Sequence, residues 1–193
     1  MTHEHLTPWR LIASRIIFEH PRLSLIEDTV MLPSGVQTEW LRFKDQGDFV
    51  MVICVDAARR VLVSRQYCHP CRRVVHEFPG GLSNIGESYI EAARRELQEE
   101  VGLFPHTIEE LGSFLAHPRR SAIRGRVFLA TQVEACPLAP DVEEFIACEW
   151  LDIDCLEGRM RDGEIDNAHM LAAWNIFKLR CPTFFLHSDL EQR

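Results

Sequence analysis

Glu96, Glu99 and Glu100 stand in the run Arg95-Glu96-Leu97-Gln98-Glu99-Glu100, and their type and spacing suit the binding of a divalent cation. Separations of three and four residues gather the three carboxylates on one side of a helix. Held there, they repel one another, an arrangement that serves stability poorly. A hard cation offsets that repulsion, and Mg2+ takes carboxylate oxygens together with waters and substrate phosphates. The other reading is a solvated acidic face neutralised by Arg94 and Arg95. The Gly80-Gly81 pair upstream, at a fixed distance from the carboxylates, favours the metal reading.

The elements that must position these groups can be read from the same stretch. Residues 88–101 read as a helix, with Glu87 and Ser88 at its start, where acids and hydroxyls suit the free N–H groups and the positive dipole end. Gly102 stands where a left-handed residue closes a helix. Ile90, Ala93, Leu97 and Val101 recur at helical spacing and predict the apolar stripe that faces a core.

Taken together, Gly81, Glu87, Arg95, Glu96, Leu97, Glu99, Glu100, Gly102 and Leu103 follow the pattern G-x5-E-x7-R-E-L-x-E-E-x-G-L. This resembles the Nudix box at every defined position. The resemblance implies a metal-dependent hydrolase of a nucleoside diphosphate linked to another group, with Mg2+ as cofactor and Mn2+ able to substitute. It implies Glu96, Glu99, Glu100 and the Gly80 carbonyl as metal ligands. Gly81, Glu87, Arg95 and Gly102 would support the box, Glu87 and Arg95 pairing to brace its loop against its helix.

The flanks resemble the ADP-sugar pyrophosphatase branch of that family. Glu77-Phe78-Pro79-Gly80-Gly81 is similar to its entry into the box, and Val63-Ser64-Arg65-Gln66-Tyr67 to a strand ending in Q-Y-R. Pro118 falls where a proline marks the branch. Glu143-Glu144-Phe145 followed by Glu149-Trp150-Leu151 resembles its acidic loop and next strand, and Gly163-Glu164-Ile165-Asp166-Asn167-Ala168 its turn into the last helix. The resemblance covers residues 9 to 180. It implies a general base from the acidic loop, where Asp141, Glu143 and Glu144 stand; Glu144 is the first choice and Glu143 the second. Trp9 and Trp40 look like two tryptophans that some members contribute across a dimer to sandwich the adenine, a contact that gains stacking at little rotamer cost; ordinary strand packing is the alternative.

Two departures bear on the substrate. Cys68 replaces the arginine of Q-Y-R, which removes a bidentate phosphate partner; Arg65, Arg72 and Arg73 are the nearby substitutes. Arg119-Arg120 follows Pro118 where many relatives carry small and acidic residues. Substrate-binding candidates are therefore Trp9, Trp40, Arg72, Arg73 and Pro118. His69 and His117, lone histidines in loops, are not among the candidates.

A net charge of −8 argues against a nucleic-acid partner, whose phosphates call for clustered Lys and Arg. The seven cysteines are odd in number and scattered, as reduced thiols are. Cys68-His69-Pro70-Cys71 lacks a second ligand pair for zinc and lies between a strand and a loop, away from any thioredoxin-like strand-to-helix start, so it reads as loop chemistry. No apolar segment opens the chain, and the apolar run Phe49 to Val55 is too short to span a membrane. A cytoplasmic protein with no membrane partner is expected.

Strands are predicted over 10–19, 23–32, 36–43, 49–55, 60–66, 108–116, 126–133 and 146–153, and later helices over 155–161 and 167–179. Residues 49–55 and 60–66 are expected to form a hairpin. The resulting expectation is an α/β/α sandwich with a mixed β-sheet, Nudix-like, plus a small N-terminal β-strand subdomain. Residues 1–46 would serve dimerisation and base binding, and residues 47–193 hydrolysis. The N-terminal strands cannot bury a core alone, which suggests a homodimer. The expected reaction is hydrolysis of ADP-ribose to AMP and ribose 5-phosphate. GDP-mannose, another nucleotide sugar or a dinucleotide are the alternatives, and a non-catalytic nucleotide sensor is the alternative of another class.

Overall fold

A computed structural model describes residues 7–139 and 145–185. Nine strands and three helices follow in the order β1 (Arg10–His20), β2 (Leu23–Met31), β3 (Gln37–Phe43), β4 (Phe49–Cys54), β5 (Val61–Cys68), β6 (Arg73–Glu77), α1 (Tyr89–Val101), β7 (Leu103–Leu115), β8 (Arg124–Ala135), β9 (Ala147–Leu151), α2 (Ile153–Arg161) and α3 (Ala168–Arg180), with a short 3-10 turn at Pro182–Phe184. The chain divides into two compact units, Met1–Gln46 with Leu115–Ile123, and Gly47–Phe114 with Arg124–Arg193.

The larger unit holds two three-stranded sheets, ordered β4-β8-β7 and β6-β5-β9. β4 runs parallel to β8, whereas β5 is antiparallel to both β6 and β9. β4, FVMVIC, explains the layering. A strand covered on both faces is apolar at every position, and Val50 through Cys54 are all buried. Val50, Val52 and Cys54 point to one side, where they meet Ala92, Ala93 and Leu97 of α1 with Phe128 and Ala130 of β8. Met51 and Ile53 point to the other, against Met170, Ala173, Trp174 and Phe177 of α3 and Leu156 of α2. Helices thus cover both faces of mixed sheets, the architecture expected from the sequence.

Three expectations are corrected. Residues 49–55 and 60–66 do not form a hairpin: only Val55 and Val61 bridge, and β4 and β5 then enter different sheets. β6, read as loop, is a strand paired along its length with β5. Ile90 does not belong to the buried stripe of α1; it is 42 % exposed, while Ala92 stands at 0 % in its place. The helical period is right, Ala93 and Leu97 stay in the stripe, and its centre is rotated toward Ala92 and Glu96, which brings Glu96 inward to 7 % exposure.

The smaller unit carries the antiparallel sheet β1-β2-β3. Among its described residues the one buried acid, Asp28, is held by Arg42 Nε and Ser14 Oγ, each at 2.6 Å. The Arg42 hydrogen bond keeps the Asp28 carboxyl below its ordinary value against the opposing effect of burial. β1 is exposed at every residue, including Leu11, Ile12, Ile16, Ile17 and Phe18, each between 43 % and 57 %. Among the described residues no helix is long and apolar enough to cross a membrane.

Leu97 belongs to both the expected and the observed stripe, whereas Ile90 belongs only to the expected one. Leu97→Ala should lower unfolding free energy by about 2–5 kcal/mol, the range for truncating a buried leucine. Ile90→Ala should stay within about 0.5 kcal/mol, as an exposed site does. Urea unfolding of the two variants beside the parent chain measures both.

Candidate active site: a loop and helix braced by Arg95

The Gly80-Gly81 loop is threaded against β4 by backbone pairing: the Val52 N–H donates to the Pro79 carbonyl and the Val50 N–H to the Gly81 carbonyl, both at 2.8 Å. That closeness dictates the residue type. Gly80 sits at φ 157°, and a Cβ there would lie 2.0 Å from the Val50 oxygen. At Gly81 a Cβ would lie 2.6 Å from Glu96 Oε1, so the missing side chain is what leaves room for a buried carboxylate. The helix beyond begins with a reciprocal capping box, in which Ser88 Oγ accepts from the Glu91 N–H and Glu91 accepts from the Ser88 N–H. It ends at Gly102 with φ 73°, the left-handed closure expected from sequence.

Arg95 joins loop to helix. Its Nε donates to Glu87 Oε1 at 2.8 Å and its Nη2 to Glu87 Oε2 at 3.1 Å and to the Leu82 carbonyl at 3.0 Å. Its Nη1 donates to Glu96 Oε1 and to Glu99 Oε2, both at 2.8 Å. Glu87 also accepts the Asn84 N–H at 2.9 Å. These bonds, led by Arg95, lower the Glu87 carboxyl below its ordinary value. The same network, led by Glu87, raises the guanidinium.

Two of the three candidate ligands therefore converge on one cationic nitrogen. The third, Glu100, accepts the Gly80 N–H through Oε2 at 3.1 Å. Among the described residues no group of three or more His, Cys, Asp and Glu side chains is arranged to hold a metal ion. The donors themselves suit a hard divalent cation: carboxylate oxygens, with Glu96 buried beside the cradle at Gly81 and Glu100 beside the Gly80 N–H.

The remaining candidates are distributed as follows. Glu143, Glu144 and Asp141 lie outside the described residues. Arg73 is engaged with Asp166, its Nη2 donating to both carboxylate oxygens at 2.5 and 2.6 Å. Arg72 is exposed in the β5–β6 turn. In the smaller unit, Trp9 and Trp40 meet edge to face, with centroids 5.3 Å apart and planes at 82°. Trp40 also borders a cleft of about 550 Å³ with Arg42, Pro118, Arg119 and Arg120, and the Arg120 guanidinium lies 5.6 Å from the Trp40 ring centroid.

Sequence reasoning missed Glu77 as a group in its own right. Its carboxylate accepts Asn167 Nδ2 at 3.0 Å, and burial raises it, the Asn167 bond acting the other way. With Gly80, Met51 and His169 it lines a small cavity of about 150 Å³. Asn167 meanwhile caps α3, its Oδ1 accepting from the His169 N–H at 3.0 Å. Its place three residues before Gly80, in the entry Glu77-Phe78-Pro79-Gly80-Gly81, was the available signal.

Glu87 should make stability depend on pH. Its folded carboxyl is depressed below 4.5, so the folded state binds fewer protons than the unfolded chain around that pH. Its contribution is fully present above 4.5 and is lost as pH falls through the folded value. Glu87→Gln should thus destabilise by on the order of 1 kcal/mol at about pH 7, and parent and variant should converge well below pH 4.5. Denaturant titrations at the two pH values give the comparison.

The NUDIX domain family model matches residues 46–174. An ADP-ribose pyrophosphatase of Mycobacterium tuberculosis is 30 % identical over 166 residues, which are 83 % of this chain and 79 % of that protein. An ADP-ribose pyrophosphatase of Bacillus subtilis is 27 % identical over 135 residues, 70 % of this chain and 72 % of the relative. In fold, the chain is similar to a structure described as an ADP compounds hydrolase, with a TM-score of 0.85 at 18 % identity, covering 92 % of this chain and 96 % of that one. The matched span encloses the whole Arg95-braced loop and helix, and on that ground the chain belongs to the Nudix family and is a Nudix hydrolase.

Proposed function

We propose that this hydrolase cleaves the pyrophosphate of a nucleoside diphosphate sugar, foremost ADP-ribose, giving AMP and ribose 5-phosphate. The observation that carries the reading is the box itself: a buried Glu96 beside Gly81, with Glu99 and Glu100 one turn on. The similarity to two ADP-ribose pyrophosphatases supports the choice of substrate. Nudix hydrolases generally use divalent metal ions. Mg2+, with Mn2+ substituting, is proposed here, held by Glu96, Glu99, Glu100 and the Gly80 carbonyl. Such an ion supplies positive charge against two phosphates that otherwise repel an incoming nucleophile.

The chain's own residues supply the rest. Gly81 keeps the space in front of Glu96 clear, and Arg95 fixes the loop that presents the Gly80 carbonyl. Glu144, with Glu143 as second choice, takes the proton from the attacking water as general base. Trp9 and Trp40 take the base, Pro118 borders the same cleft as Trp40, and Arg72 is the exposed guanidinium for phosphate. Arg73 contributes through its pair with Asp166, which ties the β5–β6 turn to the entry of α3. The exposed apolar residues Leu11, Ile12, Ile16, Ile17 and Phe18 of β1 support a homodimer through the N-terminal strands.

Hydrolysis of ADP-ribose, ADP-glucose, GDP-mannose, NADH and diadenosine polyphosphates with Mg2+ tests this. ADP-ribose should turn over best, and Glu100→Gln should lose about a hundredfold or more, since several kcal/mol of charge stabilisation disappears. Preference for another substrate in the panel would sink the ADP-ribose assignment and point to Cys68 and Arg119-Arg120 as the cause. In sedimentation the chain should run as a dimer, and Ile17→Asp should shift it to monomer; a monomeric parent chain would refute the N-terminal interface.

A further inference from the structure

The β5–β6 hairpin turns on Cys68-His69-Pro70-Cys71-Arg72-Arg73. Cys68 is register-paired with Arg73, so residues 69–72 make up the whole turn. The Arg72 N–H donates to the His69 carbonyl at 3.2 Å, and Arg72 itself stands at φ 53°, an uncommon left-handed setting for a residue with a Cβ. This winding folds the turn back on the end of β5. Beside it, the Cys68 side chain holds the Cys71 thiol above its ordinary value. Cys71 is exposed and Cys68 partly so, so solvent reaches the pair. Cys54 differs: it is buried in the core, and burial pushes its thiol up to about 12.

The geometry suits a short covalent link. The turn closed between His69 and Arg72 puts Cys68 and Cys71 three residues apart around one hairpin end, and a disulfide spans about 4.4–6.8 Å at Cα. We propose that Cys68 and Cys71 form a reversible dithiol–disulfide site that reacts with low-molecular-weight disulfides of the glutathione class.

The exchange balances in two steps. One protein thiol gives up its proton and its thiolate attacks a sulfur of the small disulfide. The small S–S bond breaks, and one small thiolate leaves and takes up the proton. The protein is then joined to the other half as a mixed disulfide. The second protein thiol gives up its proton and attacks the protein sulfur of that bond, expelling the remaining small thiol, which is protonated in turn. The protein loses two electrons and two protons, and the small disulfide gains both. The ring so formed ends two residues before Arg73, whose pair with Asp166 holds the turn to the segment entering α3.

The sequence provides a direct readout on the whole chain. Trypsin cuts after Arg65 and after Arg72, and the peptide Gln66–Arg72 holds Cys68 and Cys71 and no other cysteine. The reduced protein is incubated with oxidised glutathione, alkylated and digested. The expected peptide is lighter than its dithiol form by two hydrogens, carries no alkyl group and no glutathione, and reverts on reduction. Exposed Cys136 and Cys155 should carry glutathione instead, because they lack a resolving thiol. Cys71→Ser and Cys68→Ser should each trap a glutathione adduct on the remaining thiol. A peptide alkylated at both cysteines, or one in the parent chain that retains glutathione, overturns the proposal. So does protection of both thiols from alkylation by added Zn2+ with no disulfide formed by glutathione, which would make the pair a cation site.

Discussion

A single guanidinium organises the loop and helix of the Nudix box in this protein. Arg95 donates to Glu87, to the Leu82 carbonyl, to Glu96 and to Glu99, so it holds the loop, the helix and two of the proposed ligands at once. Arginine suits the task because its planar fork offers several donors in fixed directions and stays charged at every relevant pH. Its surroundings remove water without removing partners: its side chain is 22 % exposed and that of Glu87 16 %. A lysine would supply the charge and lose the fork.

That constraint propagates outward. The loop can lie under Arg95 only if it also lies against β4, which requires glycine at 80, and leaves room for Glu96, which requires glycine at 81. β4 in turn can accept the loop along one stretch because β8 occupies its other side. The helix must present Glu96 inward, and this fixes which residues of α1 face the core. Burial of Ala92 and Ala93 beside Leu97 gives α1 a flat, small-residue footing that brings its axis close to the sheet. Local chemistry and global packing thus agree on one placement of the carboxylates, the consistency expected of a sequence that specifies its fold.

Much of this was legible beforehand. The helix, its left-handed stop at Gly102 and the layered α/β architecture follow from spacing and residue type, and the pairing of Glu87 with Arg95 from the resemblance to the Nudix box. Other features were hidden for physical reasons. β6 is five residues long and sits directly after a turn rich in Cys, Pro and Arg, so no run of alternation marks it. The expected β4–β5 hairpin rested on a short polar turn, yet turn chemistry cannot say whether two strands stay paired after Asp56-Ala57-Ala58-Arg59 or part into different sheets. Ile90 matched the helical period but not the stripe, because small alanines, weak as hydrophobic signals, are what the close approach to β4 demands. The partnership of Glu77 with Asn167, 90 residues apart, has no local signature at all.

The two-faced burial of β4 also matters before the fold exists. FVMVIC is a short, uncharged, β-prone run of the kind that seeds intermolecular cross-β pairing when bare. Its ladder partner, β8, lies some seventy residues downstream, so during synthesis the strand must wait for it. Asp48 and Asp56 bracket the run, and in the finished structure each is spoken for, Asp48 by Arg126 and Asp56 by Arg60. In the nascent chain those same two charges flank the segment as gatekeepers against self-association. The acids that anchor the strand's ends in the folded state are thereby the ones that keep it solitary until its neighbour arrives.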